Sequence, residues 1–155
     1  MLQQKENFLK NECVLLLEKL DGEAKGIWGK MDAQQMVEHL RDVFKLANGK
    51  TVLPLLNTDP DKLANARIFM MSGGIFRENT RVPVMPEEPQ PHKYASLAEA
   101  ITKAEAELKD VFTVYANDPS KKLMHPMFGE LNYEEQITYL DKHVKHHLRQ
   151  FGLVV

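Results

Sequence analysis

Six histidines are spread through the 155 residues, and three of them crowd into Asp141-Lys-His-Val-Lys-His-His-Leu-Arg-Gln150. At neutral pH an imidazole can act as a base, a proton relay or a ligand for a divalent metal. Spacing separates the three. The segment reads as a helix whose apolar stripe is centred between Leu140 and Val144, and each residue turns a helix by roughly 100°. On that count His147 lies about 55° from the stripe centre, and His143 about 95° on the same side. His146 lies about 155° away and is expected to face water. His143 and His147 are one turn apart, so their rings can converge on one point. Two imidazoles at i and i+4 are a recurrent metal-binding pair. The competing reading is that His146 and His147 complement the negative end of the helix dipole.

His39 strengthens the metal reading. It sits in Gln35-Met-Val-Glu-His-Leu40, at the border of a helical stripe of Met36, Leu40 and Val43. Alone, it is most simply a hydrogen-bonded residue at the core edge. With His143 and His147 it completes a set of three neutral nitrogens that suits zinc or nickel, and also iron or copper. Three protein ligands leave a position for water or substrate, as in catalytic rather than closed structural zinc sites. Gln150 falls on the side of the helix that carries His143 and His147. There it contacts a metal-bound water, or else it is an exposed polar residue. His125, in Leu-Met-His-Pro-Met-Phe-Gly, is held extended by the next proline and reads as a turn residue or a pocket-lining one. His92 carries little signal. Met70, Met71, Met124 and Met127 read as core filler. The one cysteine, Cys13, shares helical spacing with Leu9, Leu16, Leu17 and Leu20 and reads as a buried core residue. It excludes an internal disulfide and Cys-rich metal motifs.

Four amphipathic segments must position these residues. The first runs from about Gln3 to Leu20, with Asp21-Gly22 as its stop. The second runs from Asp32 to Ala47, opened by an Asp32/Gln35 capping box and closed by Asn48-Gly49. The third, from Ser96 to Tyr115, opens on a Ser96/Glu99 capping box. The fourth, from Asn132 to Phe151, is capped by Asn132 with Glu135 and ends at Gly152. Between the second and third, Thr58-Asp59-Pro60 starts a short helix through about Met71. Residues 75–95 contain four prolines and cannot be regular helix. A connection this long is usually a lid, a wrapping loop or a partner-binding segment. The expected fold is all-α: a single domain over residues 1–155, a four-helix bundle with one long crossover between helices 2 and 3.

A net charge of −2 gives no broad basic surface, so neither nucleic acid nor an anionic membrane is an expected partner. The longest apolar runs fall well short of the roughly 20 residues of a membrane span. The N-terminus lacks an apolar signal core, so the expected compartment is the cytoplasm. No phosphate loop or dinucleotide fingerprint is present.

The same residues carry a family resemblance. Trp28-Gly-Lys-Met31 followed by Gln35-Met-Val-Glu-His-Leu40 resembles the second-helix region of the DinB-like (YfiT-like) metal-binding four-helix bundles. The stretch from His125 to Gly152 resembles their C-terminal signature, closest to a branch without an assigned activity. The resemblance implies a divalent metal on His39, His143 and His147, a bacterial source and a homodimer. Some members of the family are thiol-dependent transferases or isomerases. Where the family often carries tryptophan, this chain has Gln136. Two functions follow as expectations. One is a metal-dependent transferase, with a thiol as co-substrate, or a metal-dependent hydrolase, acting on a small molecule. The other is a non-enzymatic module in which the metal fastens helices and the Pro-rich segment meets a ligand or partner. No glutamate of a His-Glu-x-x-His motif is present, which argues against a peptidase.

Overall fold

The expected stripes become the core. In a computed structural model that describes residues 1–79 and 88–155, Met36, Val37, Leu40, Val43, Phe44 and Ala47 are all buried. So are Ile137, Leu140, Val144 and Leu148. Helix α1 comprises Leu2–Asn7, a π-helical turn Phe8–Glu12 and Cys13–Leu17. Helix α2 spans Ala33–Ala47, α3 Pro60–Met71, α4 Leu97–Asn117 and α5 Tyr133–Gln150. Helix α2 packs on α4, and α5 is contacted by α1, α2 and α3. The described residues are therefore mostly helical, as the periodicity implies. The departure from all-α is a small antiparallel hairpin of β1 (Leu123–His125) and β2 (Gly129–Leu131). No helix among the described residues is long and apolar enough to cross a membrane.

The caps follow the sequence. The Asp32 carboxylate accepts the Gln35 N–H, and the Gln35 side chain accepts the Asp32 N–H, closing the box at the start of α2. Asn132 and Glu135 make the same reciprocal pair on α5. Each such cap stabilises its helix by about 1 kcal/mol. The expected box at Ser96 is half made. Ser96 Oγ accepts the Glu99 N–H, but the Glu99 carboxylate turns to the Ala95 N–H instead. Cys13 is fully buried, and burial pushes its thiol up to about 12, so it is inert as a nucleophile at neutral pH. Of the methionines read as filler, Met70 is buried, whereas Met71 stands exposed on α3.

The crossover between α2 and α4 is fastened by polar side chains. Residues 80–87, with Pro83 and Pro86, lie outside the described residues. Residues 88–95 are non-helical and lie against the start of α2. The buried Glu38 carboxylate accepts the backbone N–H groups of Lys93 and Tyr94 and the Gln34 side-chain amide. Burial pushes that carboxyl up, but these hydrogen bonds outweigh it and hold it below the usual carboxylate range. His92 pairs with Asp32. On the other side, Arg67 of α3 donates to the carbonyls of Phe128 and Glu130 and pairs with Glu135.

Candidate metal centre

Stripe phase decides what α2 and α5 present to each other. His39 borders the buried face of α2, and His143 and His147 border that of α5, so the helix-on-helix contact brings the three rings together. His39 Nε2 stands 3.1 Å from His143 Nε2, and His147 Nε2 stands 3.1 Å from the same atom. The three ligand atoms all lie within 4.8 Å of one another. Two nitrogens about 2.1 Å from one tetrahedral zinc would be roughly 3.4 Å apart, so the two 3.1 Å spacings are close to what one ion needs, and the set as a whole spans up to 4.8 Å. His147 is buried, while His39 and His143 keep part of their surface exposed.

The far nitrogens have partners of their own. His147 Nδ1 is 2.7 Å from Gln150 Oε1, and Gln150 Nε2 donates to the Trp28 carbonyl at 3.0 Å. An amide with its nitrogen donating in this way offers its oxygen to the ring, which puts the His147 proton on Nδ1 and leaves the Nε2 lone pair facing the centre. His143 Nδ1 is 3.1 Å from the Tyr139 hydroxyl. This support of the non-ligating nitrogen is how metal-binding histidines are usually oriented. His143 Nε2 faces two other ring nitrogens, and a proton on it can point squarely at only one of them.

Electrostatics point the same way. Burial holds His39 down at about 4. Burial, reinforced by the neighbouring rings, holds His143 and His147 well below the ordinary imidazole value. All three are neutral at pH 7, and a cation meets no positive charge on them. Among the described residues, these three form the grouping of histidine, cysteine or carboxylate that fits a metal ion.

Two expected site residues stand elsewhere. Gln150 is buried, not exposed, and sits behind His147 rather than beside the point where the Nε2 atoms meet. It lies three residues beyond His147, so its amide reaches the outer nitrogen across one turn. With its oxygen on the ring and its nitrogen on a backbone carbonyl, it is placed to orient His147. His125 does not join the triad. It is buried in β1, accepts the Met127 N–H at Nδ1, and has its ring centroid 4.6 Å from that of Tyr139, which separates it from His143. Burial holds His125 down at about 4.

His146 does not face water. It is half-buried between Trp28 and Phe76, with ring centroids 5.5 Å and 6.0 Å away. Both neighbours come from outside the regular helices, and Phe76 also packs edge-on against His143 at 5.8 Å. Tyr139, Phe76 and the role of Trp28 are absent from the sequence reading. Tyr139 had a signal there, since it precedes His143 by one helical turn. Phe76 had none.

The Trp28 segment is shaped for its task. Ile27 N–H donates to the Gln150 carbonyl, clasping the end of α5. Gly29 adopts φ +78°, and a Cβ there would come within 2.7 Å of Gln150 Nε2. A side chain at that position collides with the amide that orients His147.

No family model matches the chain, and neither a curated protein nor a solved structure matches it.

Proposed function

We propose that the chain binds one divalent metal ion through Nε2 of His39, His143 and His147, zinc or nickel ahead of iron or copper, in a four-helix bundle of the DinB-like type. The observation that carries this reading is the convergence of three neutral imidazoles on one point, two of them with a partner at Nδ1. An ion held by these three residues would supply Lewis-acid chemistry, lowering the pKa of a bound water or thiol. That chemistry supports a metal-dependent transferase or hydrolase. The chain's own residues supply orientation: Gln150 fixes His147, Tyr139 faces the outer nitrogen of His143, and Phe76 and His146 border the centre on one side.

A second reading has one observation in its favour. His39 comes from α2 and the other two ligands from α5, so an ion also ties two helices together and would serve a non-enzymatic module. Turnover separates the two readings, since a purely structural ion raises the melting temperature without any.

Elemental analysis of tag-free protein, after reconstitution with zinc and with nickel, tests the shared core of both. One equivalent per chain is expected for the native sequence, and none for the variant carrying His39→Ala, His143→Ala and His147→Ala. Equal metal content in the two proteins, or none in either, overturns the proposal.

A further inference from the structure

His143 and His147 have partners of different kinds behind them. At His147 the partner is an amide whose nitrogen already donates to the Trp28 carbonyl, so Gln150 Oε1 is held as an acceptor. At His143 the partner is a hydroxyl, which can donate as well as accept. Tyr139 is buried, and its hydroxyl has no other hydrogen-bond partner among the described residues. At neutral pH the phenol carries its proton, and His143 Nδ1 is the acceptor within reach.

Donation to Nδ1 places the proton of the neutral His143 ring on Nε2. That atom stands 3.1 Å from His147 Nε2, which the amide behind the ring leaves as a lone pair. The directions then agree along one run. Tyr139 O–H donates to His143 Nδ1, and His143 Nε2–H to His147 Nε2. His147 Nδ1–H donates to Gln150 Oε1, and Gln150 Nε2–H to the Trp28 carbonyl. Every donor in the run meets an acceptor, and bonds aligned in this way polarise and strengthen one another. The opposite placement, with the His143 proton on Nδ1, leaves the Tyr139 proton without an acceptor among the described residues. It also leaves no proton between His143 and His147.

Resting on the metal reading above, we propose that Tyr139 is a positioning residue that holds metal-free His143 with its proton on Nε2, and that loading the triad reverses this bond. On loading, one proton leaves His143 Nε2 and one arrives at Nδ1, exchanged through solvent. The ring stays neutral and no proton is released. Tyr139 then accepts from Nδ1–H, and its own proton loses its acceptor. Gln150 and Tyr139 therefore act in opposite senses. The amide presents a lone pair to the centre, and the hydroxyl withholds one.

The test uses the full chain labelled with nitrogen-15 in its histidines. At neutral pH, ring spectra of the metal-free protein are expected to show His143 protonated at Nε2 and His147 at Nδ1. Zinc is expected to move the His143 proton to Nδ1. In Tyr139→Phe, which removes only the hydroxyl, metal-free His143 is expected to divide between the two forms. The zinc affinity of that variant, read by competition with a chromophoric chelator, is expected to rise about three- to tenfold, the size of one net hydrogen bond. Native metal-free His143 protonated at Nδ1 overturns the inference. So does a His143 that keeps its proton on Nε2 in the variant or in the zinc-loaded protein, and so does a variant affinity that stays level or falls. Each of these leaves the metal reading standing. A chain that takes up no zinc overturns the metal reading and the reversal with it, while the metal-free spectra still decide the run of hydrogen bonds.

Discussion

Helices α2 and α5 and the crossover between α2 and α4 are held in place by different means. The helices are fixed by continuous buried stripes, Met36 to Ala47 on one and Ile137 to Leu148 on the other. The crossover is fixed by single charged side chains set on backbone groups: Glu38 on two amides, Lys142 and Arg67 on carbonyls. Many interchangeable contacts give a stiff frame, whereas a few directional ones give a position that one substitution can release. The site draws on both. Its three imidazoles stand on the stiff frame, where ligand geometry tolerates little error. Its aromatic border, through Phe76, belongs to the part that can be let go.

Protons should break the frame hardest. His39 and His125 are held at about 4 by burial, and His143 and His147 lie well below the ordinary value. An unfolded chain takes up these protons near pH 6.5, while the folded metal-free chain refuses them until about pH 4. Stability is therefore fully present above pH 6.5 and is lost as pH falls toward 4. Each of His39 and His125 contributes a loss on the order of 3 kcal/mol over that window. Urea denaturation of the metal-free protein at pH 7.5, 6 and 5 should show a steep decline. A midpoint unchanged between pH 7.5 and 5 would contradict the buried neutral state of these rings.

Next in size is a cavity in the stripe. Leu140 is fully buried on α5, so Leu140→Ala should lower stability by roughly 2–5 kcal/mol. The loss should appear as a lower denaturation midpoint, with metal stoichiometry retained wherever the chain is still folded. A loss under about 0.5 kcal/mol, the range of ordinary surface changes, would mean that α5 is not held by this stripe.

The same division decides what could be read in the sequence. Stripes repeat, so α2, α4 and α5 and their caps were visible from periodicity and from Asp32, Ser96 and Asn132. The pairing of His143 with His147 followed from the same repeat. His146 was misjudged because helical phase tells only which way a residue leaves the axis. The far side of α5 is covered at that point by Trp28 and Phe76, which come from a turn and a loop with no period to betray them. Gln150 stands on the side of the helix that phase gives it, but it is buried and meets His147 Nδ1. Phase places it near His147 without saying that its amide meets Nδ1 and is drawn away by the Trp28 carbonyl. The hairpin was missed because three-residue strands are too short to alternate. Its one clear mark was Gly129, which adopts φ +79° at the start of β2.

A smaller effect should separate orientation from stability within the frame. Gln150→Leu keeps bulk at a buried position but removes the acceptor at His147 Nδ1. Metal affinity should fall about ten- to hundredfold, the usual cost of removing the partner of a ligating histidine. Competition with a chromophoric chelator measures it. Nitrogen NMR of the rings should show His147 divided between tautomers in the metal-free variant and held in one in the native protein. Unchanged affinity and an unchanged tautomer would assign Gln150 to packing alone.

The smallest effect should appear in the crossover. Glu38→Gln retains the shape of the side chain but replaces one acceptor oxygen with an N–H₂ group. The two oxygens now accept from Lys93 N–H at 2.7 Å, Tyr94 N–H at 3.2 Å and the Gln34 amide at 2.9 Å. After the change, one backbone donor faces another donor. The cost is about 1–3 kcal/mol if the strap stays seated, and less if it lifts and meets water. Lifting is the expected result, because residues 88–95 are fastened to α2 chiefly by polar contacts. Hydrogen exchange at the Lys93 and Tyr94 amides should then speed up by tenfold or more, while exchange along α2 and α5 stays near its native rate. Equal acceleration along α2 would mean that the strap supports the frame, and that the contrast between the two regions is wrong.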